Sequence, residues 1–377
     1  MPYYYPAWSF GGPPRVAYDL SVELGRRGHS VSCFTTNALD FRSNFQPTQK
    51  EYTINKVKVN YFRNTLRWDK VFISPGIVGA GRERTREFDV IHLHEYRSFQ
   101  NAVVAHYARR KRTPYVVQPH GSMVTWTNDP LKLIFDVTIG HSILKNADKL
   151  IALNEVESDH FRALNLSDKT TIIPNGVDLS RYARLPRRGR FRRKYSIKDN
   201  VKLVLYLGRI HASKGLDMLV QAFGLIHDKN KDTCLVLIGP DDGYKLLLEQ
   251  HLRNLNIEDN AIFTGFTSEE EKMAALVDCD IFVTPTFSGF PVSFLEASIA
   301  GAPIVTTEKG DKLKWMRHAC LITKYSVNDL SDSILRLLED EEYAKELGQR
   351  ARLTVRRLFD IRRVVDKIER LYEEIAA

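Results

Sequence analysis

A chain of 377 residues with 43% apolar and 27% charged side chains is too long for one ordinary core and reads as a globular protein of two domains, each of about 150 to 200 residues. Its apolar runs all fall short of the roughly 18 to 20 residues that a transmembrane helix needs, and Met1-Pro-Tyr-Tyr-Tyr has neither the basic start nor the apolar centre of a secretion signal, so a cytoplasmic chain is expected. The net charge of +9 is concentrated in one place, since Arg181, Arg184, Arg187, Arg188, Arg190, Arg192, Arg193 and Lys194 supply eight positive charges with no acidic residue among them.

Taken in chain order, a glycine pair, Gly11-Gly12, precedes a segment at 16–27 with Val16, Leu20 and Leu24 at helical spacing and Gly28 as its stop. Strands are predicted at 31–36, 57–62, 90–93, 115–118 and 149–153, with helices between most of them, including 101–111 and 130–145. The second half repeats the alternation, with strands at 201–207, 235–238, 261–264, 281–284 and 303–306. Strand and helix alternating in this way predict an α/β protein of two similar halves with parallel sheets covered on both faces.

The basic run from Arg181 to Lys194 holds like charges densely enough to favour an exposed, loosely ordered connection, and Pro186 and Gly189 point the same way. Aromatic residues for stacking bases are scarce there, so no nucleic-acid partner is expected. An anionic membrane surface suits the run better, because each cation near such a surface contributes about 1 kcal/mol; a solvated linker is the plainer reading. The helix at 130–145, with lysines at 132 and 145, reads as packed on the first domain or as shallowly inserted in a membrane. Cys33, Cys234, Cys279 and Cys320 are too scattered for a disulfide framework or a zinc site. His92, His94 and Glu95 cluster on a strand end, but no metal is expected.

Two constellations carry chemistry. In Leu207-Gly-Arg-Ile-His-Ala-Ser-Lys-Gly215, Arg209 and Lys214 follow a buried strand, where open α/β sheets bind ligands, and offer phosphoryl oxygens a planar fork and a point charge. In Ser288-Gly-Phe-Pro-Val-Ser-Phe-Leu-Glu296, ending at Gly301, a Gly-Phe-Pro turn enters a helix with one carboxylate about a turn and a half inside it. Together these resemble the retaining, nucleotide-sugar-dependent glycosyltransferases of the GT-B fold, of the glycosyltransferase family 4 (group 1) type. The resemblance covers nearly the whole chain and implies two Rossmann-like domains, at 1–178 and 179–358, with a helix at 359–377 packing across their junction. In that family a buried strand precedes the loop that here holds Gly11 and Gly12, so the first domain is expected either to lack its first strand, its sheet exposing two unpaired edges, or to have the gap filled by another segment.

The resemblance implies a role for each motif. Gly11 and Gly12 let the backbone approach the donor phosphates; His120, in Pro119-His-Gly121, lies near the transferred sugar; Arg209 and Lys214 hold the diphosphate. Phe266 lies beside the nucleotide base, Ser288, Gly289 and Phe290 beside the donor sugar, and Glu296 on the ribose. Ser288 stands where the family commonly has a first glutamate. The implied reaction is transfer from a nucleotide-diphosphate sugar such as a UDP- or GDP-sugar to a glycan or lipid-linked acceptor, with retention at the anomeric carbon and no cofactor, in cell-surface polysaccharide or glycolipid synthesis and with the enzyme peripheral on the membrane. An epimerase or hydrolase of the same fold and a non-catalytic sugar-nucleotide-binding scaffold are the alternatives.

Overall fold

The computed structural model describes residues 1–40, 42–68, 71–123, 130–286, 290–309 and 314–377. The chain divides into two compact units, one formed by Met1–Gly176 together with Ile361–Ala377, the other by Val177–Asp360. The first contains α1 (Gly12–Arg26), β1 (Val31–Thr36), β2 (Glu51–Ile54), β3 (Val57–Phe62), β4 (Leu66–Trp68), β5 (Val71–Ile73), α2 (Gly76–Arg84), β6 (Ile91–His94), α3 (Phe99–Lys111), β7 (Tyr115–Gln118), α4 (Pro130–Phe135), α5 (His141–Lys145), β8 (Lys149–Ala152), α6 (Glu155–Ala163) and β9 (Thr170–Ile172). The second contains α7 (Arg190–Lys194), β10 (Lys202–Leu207), α8 (Leu216–Lys229), β11 (Thr233–Ile238), α9 (Lys245–Asn254), β12 (Ala261–Gly265), α10 (Glu269–Asp278), β13 (Ile281–Thr284), α11 (Val292–Ala300), β14 (Ile304–Thr307), β15 (Leu321–Thr323), α12 (Val327–Glu339) and α13 (Glu341–Leu358). The last helix, α14 (Ile361–Ala376), returns to the first unit.

In the first unit, Val16, Leu20 and Leu24 of α1 are buried as their spacing predicts. Ser98 caps α3 by accepting from the Asn101 amide, and Asn154 caps α6 by accepting from Glu157. The strands form separate sheets. One is parallel in the order β6-β7-β8-β9; another is β1-β3-β2, with β1 and β3 parallel and β2 antiparallel. Among the described residues β1 and β6 each have one strand neighbour, and the first residues of the chain lie beside β1, with the Met1 amine donating to the Phe34 carbonyl at 3.0 Å and the Thr36 hydroxyl to the Pro2 carbonyl at 2.6 Å.

Helix α14 buries Ile361, Val364, Val365, Ile368 and Leu371 against Leu20, Leu24, Val116, Ile151 and Ile173. Arg27 ties its outer face through Asp366 and Glu369, at 2.7 and 2.5 Å. All of these residues belong to the first unit, so the helix expected at the junction is part of that unit's core, while Phe359 packs on Trp315 and Phe290 in the second unit.

The second unit is one six-stranded parallel sheet in the order β12-β11-β10-β13-β14-β15. Chain order runs outward to one side from β10 and then restarts beside it with β13, so the loops after β10 and β13 leave the sheet side by side at the switch point. This places the Arg209 to Lys214 loop next to the loop that enters α11.

The basic run departs from its expectation. It is a folded part of the second unit, with Phe191 only 1% exposed and the fully buried Asp278 accepting from the backbone amides of Gly189, Phe191 and Arg192 at 2.5, 2.8 and 3.0 Å. Five of its eight cations meet acids: Arg181 meets Glu269, Arg188 and Arg192 meet Asp280, Arg190 meets Glu270, and Lys194 meets Glu271. A dense run of like charges orders when packing brings opposite charges to it, and here α10 and the residues after it supply them. The helix predicted over 130–145 is also modified, being interrupted by a wider π-type turn at Asp136–Gly140. No helix among the described residues is long and apolar enough to cross a membrane.

Candidate functional site

The residues singled out by sequence fall in two sets, one in each unit. In the second unit the loop after β10 is held by backbone bonds from Gly208 to Ile238 and from Ile210 to Pro240, each 2.9 Å. Gly239 makes this possible: its φ is +145°, and a Cβ there would lie 1.9 Å from the Gly208 carbonyl. The Tyr206 hydroxyl donates to the Arg209 carbonyl at 3.1 Å. Burial and then the positive charge of Arg209 push the Lys214 ammonium below its usual range. Asp242 meets the Arg209 guanidinium at 2.6 Å. Two cations that repel each other at the end of a parallel strand favour an anion between or beside them.

Glu296 lies on α11, between the Pro291 N-cap and Gly301, whose φ is +82°, and is 4% exposed. Its Oε1 accepts from Lys272 Nζ at 2.6 Å and from the Tyr182 hydroxyl at 3.0 Å. Lys272 also meets Glu269 at 3.0 Å. Sequence reasoning missed both partners of Glu296; the only trace of Lys272 was its ion-pair spacing from Glu269, which marks a helix face and not a site. Phe266 follows Gly265, whose φ is +69°, and leaves 56% of its surface exposed, as a ring meant to stack on a ligand would. Phe290 is 2% exposed, takes φ +55°, and packs its ring on Trp315 and Phe359. Ser288 and Gly289 lie outside the described residues.

In the first unit, Gly11 takes φ +95° before α1, a conformation suited to glycine. The expected use of the helix end is weakened, because Pro13 and Pro14 in the first turn carry no N–H and remove two of the donors that a helix start leaves free. His120 follows β7 at φ +57°. Its turn is fixed from behind by the buried Glu157, whose carboxylate accepts from the amides of Gly121 and Leu153 at 2.7 and 2.8 Å.

His120 is not alone. Its Nε2 is 2.8 Å from His94 Nδ1, the His94 ring stacks on His92 with centroids 4.0 Å apart, and His92 Nδ1 is 2.6 Å from the Tyr372 hydroxyl of α14. Burial lowers all three histidines, His92 to about 3 and His120 to about 4, with mutual repulsion among the rings adding to the fall for His92 and His94. The three rings are therefore neutral at ordinary pH. Alternation along β6 puts His92 and His94 on one face, but their contacts are to each other, His120 and Tyr372. Among the described residues no group of three His, Cys, Asp or Glu side chains is arranged to hold a metal.

Comparison with known proteins agrees with this division. A family model described as Glycosyltransferase Family 4 matches residues 10–181, and one described as Glycosyl transferases group 1 matches residues 187–354. The chain is similar to the N-acetyl-alpha-D-glucosaminyl L-malate synthase of Bacillus anthracis, 26% identical over 378 residues that cover 97% of this chain and 95% of that protein. It is 26% identical over 246 residues to the GDP-mannose-dependent alpha-(1-6)-phosphatidylinositol monomannoside mannosyltransferase of Mycolicibacterium smegmatis, covering 63% of this chain and 62% of that one. Among solved structures, the HepE protein of Anabaena in complex with UDP and glucose superposes with a TM-score of 0.77 at 18% identity, covering 97% of this chain and 96% of that one. The fold shared with such structures is GT-B.

Proposed function

The chain belongs to the glycosyl transferases of group 1 with a family 4 N-terminal domain, and on that premise we propose that it moves a sugar from a nucleotide-diphosphate sugar to a glycan or lipid-linked acceptor with retention at the anomeric carbon. The observation that carries this reading is the cation pair. As the bond between sugar and diphosphate breaks, negative charge grows on the leaving group, and Arg209 and Lys214, both carried by the loop that follows β10 at the switch point of the parallel sheet, stabilise that charge more than they stabilise the intact donor. HepE was solved with UDP, and the mycobacterial relative is GDP-mannose-dependent, which supports a donor of this class.

Glu296 accepts from the ribose hydroxyls, oriented by Lys272 and Tyr182. Phe266 supplies an exposed ring for the base. His120 meets the sugar as a neutral imidazole, its orientation set by His94. One relative is a phosphatidylinositol monomannoside mannosyltransferase, which supports the acceptor in polysaccharide or glycolipid synthesis that we adopt; another is an N-acetyl-alpha-D-glucosaminyl L-malate synthase.

The test is to incubate the protein with radiolabelled UDP-, GDP- and ADP-sugars and a cell extract. Label on a glycan or lipid, with the anomeric configuration of the donor, is the expected result. Release of free or isomerised sugar, or binding with no turnover on any donor, overturns the reading.

A further inference from the structure

Helix α14 reaches the histidines of the first unit through one hydroxyl. Ile361, Val364, Val365, Ile368 and Leu371 form its buried side, and Tyr372, four residues beyond Ile368, falls on that side and packs against the same cluster. Its hydroxyl lies 2.6 Å from His92 Nδ1, and the two rings meet edge to face at 86°. Burial pushes the phenol above its usual range, so it keeps its proton, donates, and leaves the imidazole nitrogen to accept.

Two further contacts carry this bond to His120. His92 and His94 stack with centroids 4.0 Å apart and planes 19° apart, so a His92 ring held by Tyr372 also limits the rotation of His94. The planes of His94 and His120 differ by 10°, with centroids 5.1 Å apart and Nδ1 to Nε2 at 2.8 Å, which is the in-plane geometry of an N–H···N bond. One hydrogen occupies that bond. If His94 supplies it, neutral His120 carries its own hydrogen on Nδ1; if His120 supplies it, Nδ1 is a bare lone pair. The nitrogen of His120 that His94 does not use is thus a donor or an acceptor according to how His94 is held. Packing alone does not need the Tyr372 hydroxyl, because the partners of α14 in this cluster are apolar and a phenylalanine ring would fill the same place.

We propose that Tyr372 is a positioning residue for the transfer reaction, acting through His92 and His94 to hold His120 in one orientation and one tautomer. Its kinetic consequence rests on the transferase reading; the setting of the ring does not. A sugar hydroxyl beside His120 pairs with only one of the two tautomers, and a small misplacement of such a group costs rate more than affinity.

The test joins kinetics to histidine spectra of the full chain. Tyr372→Phe is expected to lower kcat by about three- to tenfold, with the donor KM and the melting temperature nearly unchanged. Long-range proton–nitrogen spectra should show one fixed tautomer of His120 in the unaltered protein and an averaged one in the variant. His92→Phe, which keeps a ring on His94 but loses the bond to Tyr372, should act alike, and the two changes together should cost little more than either alone. Ile368→Val, at a core position 1% exposed, is the control: it should lower the melting temperature and leave the His120 signals and kcat as they were. An unchanged kcat in Tyr372→Phe, unchanged His120 signals, or the same spectral change in Ile368→Val would each overturn the proposal. If the unaltered protein turns over no donor, the transferase reading falls, and the His120 signals alone decide whether Tyr372 sets that ring.

Discussion

Lys214 and Arg209 are cations on one loop after β10, and burial together with the charge of Arg209 lowers the Lys214 ammonium, so the pair gains when an anion arrives. Replacing Lys214 with Ala removes a charge-assisted contact to the diphosphate and should lower kcat/KM by about ten- to a hundredfold; steady-state kinetics that match the unaltered enzyme would remove Lys214 from the site. The three histidines give a second expectation. Their folded values are depressed below the ordinary value of about 6.5, so the unfolded chain binds protons first as pH falls. Stability is then fully present above that value and is lost as pH drops from about 6.5 towards 4, by up to about 1.4 kcal/mol per pH unit for each ring. Urea unfolding of the first unit at pH 7.5 and 5.5 should show the lower midpoint at pH 5.5, and His94→Asn should flatten the difference. A midpoint that does not move over this range would contradict the burial of the cluster.

Helix α7 illustrates how an element can be decided by one distant side chain. Five residues, three of them arginine, have little helical stability of their own, and their like charges oppose a compact turn. Asp278 offsets this by accepting three backbone amides at the helix start while Asp280 and the glutamates of α10 meet the arginines. Asp278→Ala should therefore cost about 3 kcal/mol or more, since it leaves buried donors without acceptors. Denaturant unfolding checks this, and a loss under about 1 kcal/mol would mean that the amides find other partners. Sequence placed these cations correctly but read them as a loose connection, because the acids that order them lie some eighty residues on, in a different helix.

At the scale of the molecule, the two units have separate cores: a cluster around β10, β11 and β13 in the second, and clusters around β6, β7 and β8, around α14, and around β3 in the first. Separate cores predict two unfolding transitions in calorimetry, with the nucleoside diphosphate of the proposed donor raising chiefly the one that belongs to the second unit, by about 2.7 kcal/mol at a hundredfold excess over its Kd. A single transition shifted as a whole would show that the units unfold together. The halves themselves, most strand positions, and the placement of Arg209, Lys214 and His120 at strand ends were legible in the sequence, because apolar periodicity and turn residues act over a few neighbours in the chain. What tertiary structure decided is how those side chains are held: Lys272 on Glu296 across 24 residues, His94 on His120 across 26, and Tyr372 on His92 across 280. Such pairs depend on how helices lie on sheets, and no local pattern encodes that geometry.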